Sequence, residues 1–380
     1  MEHIYLDHAA TTPVDKQVLK VMNPVLSHVY GNPSSVHAFG RQARKYLDDA
    51  RHSIAKSMSV NAKNIIFTSG GTEANNLALL GAAQANKDKG NHIITTAQEH
   101  HATLHTVQFL QKKGFDVTYL PVYENGQISL NDLREALTDE TILVSIMYVN
   151  NETGVIQPIP AIGRLLKEHQ AYFHTDAVQA FGLLDINVQE EAIDMLSVAS
   201  HKINGPKGVG FLYAADHVPI NPIQFGGEQE RKRRPGTENL PGIVGFQKAV
   251  ELAVMQRDKR TQQYAHFRSL FLETLSNNGI DYNINGDLDH SVPSIVNISF
   301  PGTQVEALLA NLDLEGVAAS SGSACTAGSV EPSHVLLAMF GKADERTLNS
   351  VRFSFGLANT ETNVKVAAER VAKIIRRLTT

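Results

Sequence analysis

A single cysteine, Cys325, serves the whole 380-residue chain, so no disulfide can close within it and no multi-thiolate metal site can assemble. That usage fits a reducing cytoplasm. Nowhere does the sequence approach the roughly 18 uninterrupted apolar residues of a membrane helix. The opening, MEHIYLDHAATTP, places an acid and a histidine where a secretory signal would be basic. Neither a membrane span nor a leader is expected. Positive charge is not in excess: 34 Lys and Arg against 39 Asp and Glu give a formal net charge of −5. Nothing therefore draws the chain as a whole to nucleic acid or to an anionic membrane. The one concentrated basic run, Glu230–Gly236 (ERKRRPG), reads as a solvated loop. The phosphate-loop pattern GxxxxGK[ST] and the zinc pattern HExxH are both missing.

What is present is the make-up of a large globular protein. Hydrophobic residues are 42% and charged residues 19% of the chain, enough to bury a sizeable core, and the length suits two units. Between about residues 60 and 215, short apolar runs alternate with longer amphipathic ones. NIIFTS, HIITT, FDVTYLPV, TILVSIMYV, AYFHTDA, DMLSVAS and GVGFLYAA have the Ile, Val, Phe and Tyr content of buried strands. Helical patterns such as TEANNLALLGAAQANK and ATLHTVQFLQKKG lie between several of them. This alternation predicts an α/β fold: a mostly parallel seven-stranded sheet sandwiched by helices. A long helical pattern over Leu240–Asn277 connects it to a smaller α+β unit. We assign residues 15–255 to the large unit, and residues 1–14 and 256–380 to the small one, which includes the cysteine segment 320–332. The first 50 residues read as partly helical and are expected to pack with the C-terminal unit.

In such a sheet ligands gather beyond the carboxyl ends of the strands, and four segments stand there. In TSGGTEANN, Gly70, Gly71 and Thr72 open a helix, where free N–H groups favour an anion; an ordinary glycine turn capped by Thr72 is the plainer reading. In TTAQEHHATLH, His100 is placed to lay its ring over a planar ligand. His101 and His105 share a helical face, but with no third ligand a metal site is not expected. In HTDAVQA, Asp176 ends an apolar strand with Gln179 three residues on; it is either a helix cap or a carboxylate wanting a cationic partner. In SVASHKINGPKG, Lys202 follows a buried strand closely enough for desolvation to favour its neutral, nucleophilic amine. Each reading is weak alone. Together a phosphate cradle, a stacking ring, a carboxylate for a pyridinium and a Schiff-base lysine are the parts needed to hold pyridoxal 5′-phosphate (PLP).

The same motifs, with YLDHAATTPV, GNPSSVHAFG, VNNETGVIQP, RPGTENLPGIVG, SSGSACTAG and VRFSFG, make the chain resemble the NifS/IscS-type cysteine desulfurases among the fold-type I PLP enzymes. The resemblance covers nearly the whole sequence. It implies that Lys202 carries the cofactor as a Schiff base, Asp176 pairs with the pyridine nitrogen, His100 stacks on the ring and Gln179 binds its phenolic oxygen. It implies a phosphate site of Gly71, Thr72 and His201, with Thr237 supplied by the second subunit of a homodimer. Asn151 and Arg352 would hold the carboxylate of L-cysteine, and Cys325 would take its sulfur as a persulfide, leaving L-alanine. The sulfur would pass to an acceptor protein, an iron–sulfur scaffold or a tRNA-thiolating enzyme.

Two departures qualify the resemblance. The family commonly has Ser-Gly-His-Lys where this chain has Ala199-Ser200-His201-Lys202, so Ser200 is the candidate replacement for the hydroxyl missing at Ala199. The sequence also stops soon after its last helical pattern, at RRLTT, where some relatives carry a longer tail that docks a scaffold protein. A free thiol titrates near about 8.5, so Cys325 needs local help to ionise. The Gly- and Ser-rich flanks of Cys325 suit a thiol that must move between substrate and acceptor. A selenocysteine lyase, another PLP-dependent lyase or aminotransferase, and a non-enzymatic sulfur-transfer scaffold are the competing readings.

Overall fold

The structure, a computed structural model, describes residues 3–321 and 331–379. Cys325 lies outside the described residues.

Seven strands form the main sheet: β2 (Ile65–Thr68), β3 (His92–Thr96), β4 (Asp116–Leu120), β5 (Thr141–Ser145), β6 (Tyr172–Asp176), β7 (Met195–Ala199) and β8 (Gly210–Ala214). They follow the short β1 (Ile4–Tyr5) in the chain. Their order is β2-β8-β7-β6-β5-β3-β4. All are parallel except β8, which runs antiparallel between β2 and β7. Six strands are wholly or almost wholly buried and only the edge strand β4 is half exposed. Burial on both faces is the reason they appear in the sequence as unbroken apolar runs.

The helices on the two faces are α1 (Lys16–His28), α2 (Ala38–Ser57), α3 (Gly71–Ala85), α4 (His101–Lys112), α5 (Leu130–Ala136), α6 (Ile159–Leu166) and the first half of α7 (Leu240–Asn277). The smaller elements are β9 (Asn283–Ile284), β10 (Ile295–Ser299), α8 (Val305–Leu314), β11 (Val317–Ala318), α9 (His334–Phe340), β12 (Ser350–Ser354) and α10 (Glu361–Thr379). Here β12-β10-β9 make an antiparallel sheet, and β1 pairs with β11.

Helix α7 joins two cores. Leu240, Ile243, Phe246 and Val250 belong to the core under the large sheet. Tyr264, Phe267, Phe271 and Leu275, about four turns further on, pack with Phe353 and Phe355 in the other. The N-terminal region divides differently from the expectation that it packs as a whole with the C-terminal unit. Ile4 and Leu6 join the second core, but Val18, Val25, Ala43, Leu47 and Ile54 of α1 and α2 join the first. Helical spacing can tell which face of such a helix is buried, not which core receives it. Among the described residues no helix is long and apolar enough to cross a membrane.

Candidate active site

Because β2, β3, β5, β6 and β7 are parallel, the chain leaves them all at one edge of the sheet, and the segments that follow line a cavity of about 510 Å³. Lys202 comes from the 3₁₀ turn after β7. Its ammonium is held by the carbonyls of Ala9 and, at 2.9 Å, Ala10. Burial pushes it down to about 8, with repulsion from Arg352 adding and attraction to Asp176 and Asp7 opposing. A lysine so placed exchanges its proton close to neutral pH.

Asp176 is the last residue of β6 and is buried. Its Oδ1 accepts from the Val178 amide at 3.0 Å and its Oδ2 from Asn75 Nδ2 at 2.6 Å. Both bonds fix the carboxylate against the cavity and neither neutralises it. His100 caps α4, its Nδ1 accepting from the Ala102 amide at 3.1 Å, which leaves the proton on Nε2. Desolvation holds this imidazole below its ordinary range, against the pull of Asp176. Gln179 also lines the cavity, with its Nε2 on the Ala9 carbonyl at 2.9 Å.

The start of α3 is a second consequence of the fold. Gly70 stands at its N-cap and no side chain caps the helix, so the expected Thr72 cap is not formed and first-turn N–H groups stay available to an anion. Gly71 is required by a close approach: a Cβ there would stand 2.7 Å from Val178 Cγ2. Thr72 and His201 border the same cavity. His201 contacts Thr11 Oγ1 at 3.1 Å, and burial lowers it to about 4, so it is neutral at physiological pH.

The opposite wall belongs to the smaller sheet. Arg352, in the middle of β12, is 4% exposed. It donates from Nη1 to the Asn151 carbonyl at 2.8 Å and from Nη2 to Asp7 Oδ1 at 2.7 Å, and its Nε has no partner among the described residues. Asn151 and Asp7 line the cavity beside it.

The residues present suit PLP. An uncapped helix start meets the need of a phosphate. A buried, immobilised carboxylate calls for a cation such as a protonated pyridine nitrogen. His100 flanks the space between, and a lysine of lowered pKa reaches into it. Eleven of the twelve expected positions fall within the described residues, and nine of them line this cavity: Gly71, Thr72, His100, Asn151, Asp176, Gln179, His201, Lys202 and Arg352. Ser200 and Thr237 are not among the lining residues. Ser200 is fully buried with an unpartnered Oγ. A Cβ on Gly205 would meet that oxygen at 2.0 Å, so the hydroxyl faces the Gly205 turn and does not replace the one missing at Ala199. Thr237 is exposed, three residues after Arg234, whose Nε pairs with Glu73 Oε1 at the first turn of α3 at 2.7 Å. His101 stacks on His105 with centroids 5.0 Å apart, and no metal-holding group of three or more His, Cys, Asp or Glu occurs among the described residues.

Asn75, Asp7 and the carbonyls of Ala9 and Ala10 contact these groups, though no local spacing in the sequence marks them. Asn75 lies one helical turn after Gly71, and Asp7, Ala9 and Ala10 lie in YLDHAATTPV. The motifs were visible, and only the distant pairing was not.

Comparison with known proteins bears on the same geometry. Residues 4–366 match the family Aminotransferase class-V. IscS 1 of Bacillus subtilis (strain 168) is 59% identical over 379 residues, covering 100% of both chains. The cysteine desulfurase IscS of Dictyoglomus turgidum (strain DSM 6724 / Z-1310) is 45% identical over 377 residues, 99% of this chain and 95% of that one. A solved structure named NifS-like protein superposes with a TM-score of 0.92 at 36% identity, over 99% of this chain and 100% of its own. Members of this family depend on PLP, the group that the cavity suits. With full-length identity on one side and a matching strand-end cavity on the other, the chain belongs to the class-V aminotransferase family, among the cysteine desulfurases of the NifS/IscS type.

Proposed function

We propose that this chain is a PLP-dependent cysteine desulfurase that takes sulfur from L-cysteine onto Cys325 and releases L-alanine. The observation that carries the reading is that Lys202 and Arg352 face one cavity from opposite walls, while the strand bearing Arg352 pairs with Ser320, at the start of the cysteine segment. PLP, when bound, supplies an electron sink that stabilises negative charge at the substrate carbon bearing the amino group. Arg352 and Asn151 orient the substrate through its carboxylate, the guanidinium exchanging Asp7 for the incoming anion. Lys202 Nζ, its amine largely neutral above about pH 8, removes the proton from that carbon. Asp176 holds positive charge on the cofactor's ring nitrogen, and His100 Nε2–H is the nearby donor for returning a proton. The Cys325 thiolate attacks the substrate sulfur, forming a sulfur–sulfur bond. The carbon–sulfur bond breaks with its electron pair remaining on the carbon fragment, which is protonated and leaves as L-alanine.

The reading extends to a homodimer in which Thr237 of a second copy completes the phosphate site of Gly71, Thr72 and His201. It extends also to transfer of the persulfide to an acceptor protein, and to a cytoplasmic enzyme. Residues 15–255 are the large unit, with 1–14 and 256–380 the small one. The test is Cys325→Ala in the PLP-loaded enzyme: loss of persulfide and sulfide formation from cysteine supports the assignment, and full yield without a reductant overturns it.

A further inference from the structure

Residues 322–330, which include Cys325, lie between two anchored ends. At the first, Ser320 pairs with Arg352 in both directions, N to O at 3.2 Å and the reverse at 2.6 Å. At the second, the hydroxyl of Ser333, a residue 4% exposed, donates to Glu152 Oε2 and accepts from the Leu336 amide at 3.2 Å, which starts α9. His334 adds a contact from its Nε2 to the Glu99 carbonyl at 2.9 Å. All three attachments end at the site or one residue from it. Arg352 is itself a site residue, Glu99 precedes His100 and Glu152 follows Asn151.

Glu152 is the unusual member. It is 1% exposed, and its main chain is fixed on both sides, its amide donating to Asn150 Oδ1 at 2.9 Å and its carbonyl accepting from Asn297 Nδ2 at 3.2 Å. Burial raises its carboxyl to about 7 against the opposing effects of Ser333 and Arg352. Filling the space with an apolar residue would avoid that desolvation. The cost is met at a point that holds the far end of the cysteine segment against the turn bearing Asn151.

We propose that Glu152 is a positioning residue for sulfur transfer, fixing through Ser333 where the segment that carries Cys325 rejoins the fold. The proposal rests on the reading that Cys325 accepts the sulfur. Glu152 acts on how often the thiol reaches the substrate, and leaves the engagement of cysteine with the cofactor unchanged.

The test compares holoenzymes carrying Glu152→Ala, Glu152→Gln, Ser333→Ala and the double change Glu152→Ala/Ser333→Ala with the wild type in single turnover without a reductant. Two rates are followed: the change in cofactor absorbance on mixing with L-cysteine, and the gain of one sulfur by the Cys325 peptide in mass spectrometry. Glu152→Ala and Ser333→Ala are each expected to slow the second rate about tenfold or more, as small misplacements of reacting groups do. The first rate stays within about twofold. The double variant is no slower than either single one, because both remove the same attachment. Glu152→Gln, which keeps an acceptor for the Ser333 hydroxyl, recovers most of the wild-type rate. Should Glu152→Ala fail to fold, a selective loss in Ser333→Ala and recovery in Glu152→Gln still support the proposal. Both rates falling together, or multiplying losses in the double variant, would overturn it. Sulfur arriving on Cys325 at one rate in every protein overturns this proposal alone. No sulfur on Cys325 in the wild type overturns the acceptor reading and the proposal with it.

Discussion

The two walls of the cavity are built on different plans. One is the edge of a mostly parallel sheet, where Lys202, Asp176, His100 and Gly71 stand at or just after the ends of four separate strands. Lys202 apart, its groups are held by neighbours that a ligand need not displace: the Val178 amide and Asn75 on Asp176, the Ala102 amide on His100. The other wall is a three-stranded antiparallel sheet, and its one cation, Arg352, is already occupied by Asp7 and the Asn151 carbonyl. On the proposed reading a substrate carboxylate exchanges with Asp7 there, so that the first wall serves a resident group and the second a passing one. The cysteine segment is attached to both, through Ser320 and Ser333 on the substrate side and through His334 on the other.

Substitutions that break this contrast rank accordingly. Lys202→Ala removes the group proposed to bond the cofactor and to move the substrate proton. Alanine production is expected to fall by about 10⁴-fold or more, and the visible absorbance of lysine-bound cofactor to vanish. Asp176→Ala removes the carboxylate proposed to face the ring nitrogen and is expected to lower kcat by about 10²–10³-fold, measured by steady-state alanine release. On the other wall Arg352→Lys keeps the charge and loses the fork. Its effect should sit in KM for cysteine, a rise of about 10- to 100-fold from one lost charge-assisted hydrogen bond, with a smaller change in kcat. A kcat loss as deep as that of Asp176→Ala would erase the distinction between the walls.

Two smaller effects sharpen it. Asn75→Ala withdraws the 2.6 Å hydrogen bond from Asp176 and is expected to cost about five- to tenfold in kcat/KM. Lys202 is protonated below about pH 8 and neutral above it. In protein stripped of PLP, the rate of cofactor attachment, followed by absorbance, should therefore rise with pH and level off above that value. A rate that goes on rising about tenfold per pH unit beyond about pH 9, with no levelling off, would show that desolvation does not act on this lysine as argued.

The sheet was legible in the sequence because strands buried on both faces are continuous apolar runs, and α7 because its pattern is long enough to exclude a strand. Eight of the nine site positions lining the cavity stand at or after strand ends that the parallel topology brings to one edge; the ninth, Arg352, lies in the small sheet, and it and Asn151 were expected from the family resemblance alone. What could not be read is contact over distance. Asn75 and Asp176 are 101 residues apart, and Asp7 and Arg352 are 345 apart, and no local spacing encodes such pairings. Nor does periodicity say which core receives α1 and α2. Ser200 shows the limit at the finest scale. One step along a strand end turns a side chain to the other face, so Ala199 borders the cavity while Ser200 is buried behind it.

The central claim is that the cavity chemistry ends with sulfur on Cys325. The most direct measurement mixes the PLP-loaded protein with L-cysteine in the absence of reductant, then weighs the Cys325 peptide and counts the alanine released. The account predicts a peptide heavier by one sulfur atom and one alanine per occupied site in the first turnover, with neither product in Cys325→Ala. Alanine released at the wild-type rate while the Cys325 peptide keeps its mass would contradict it.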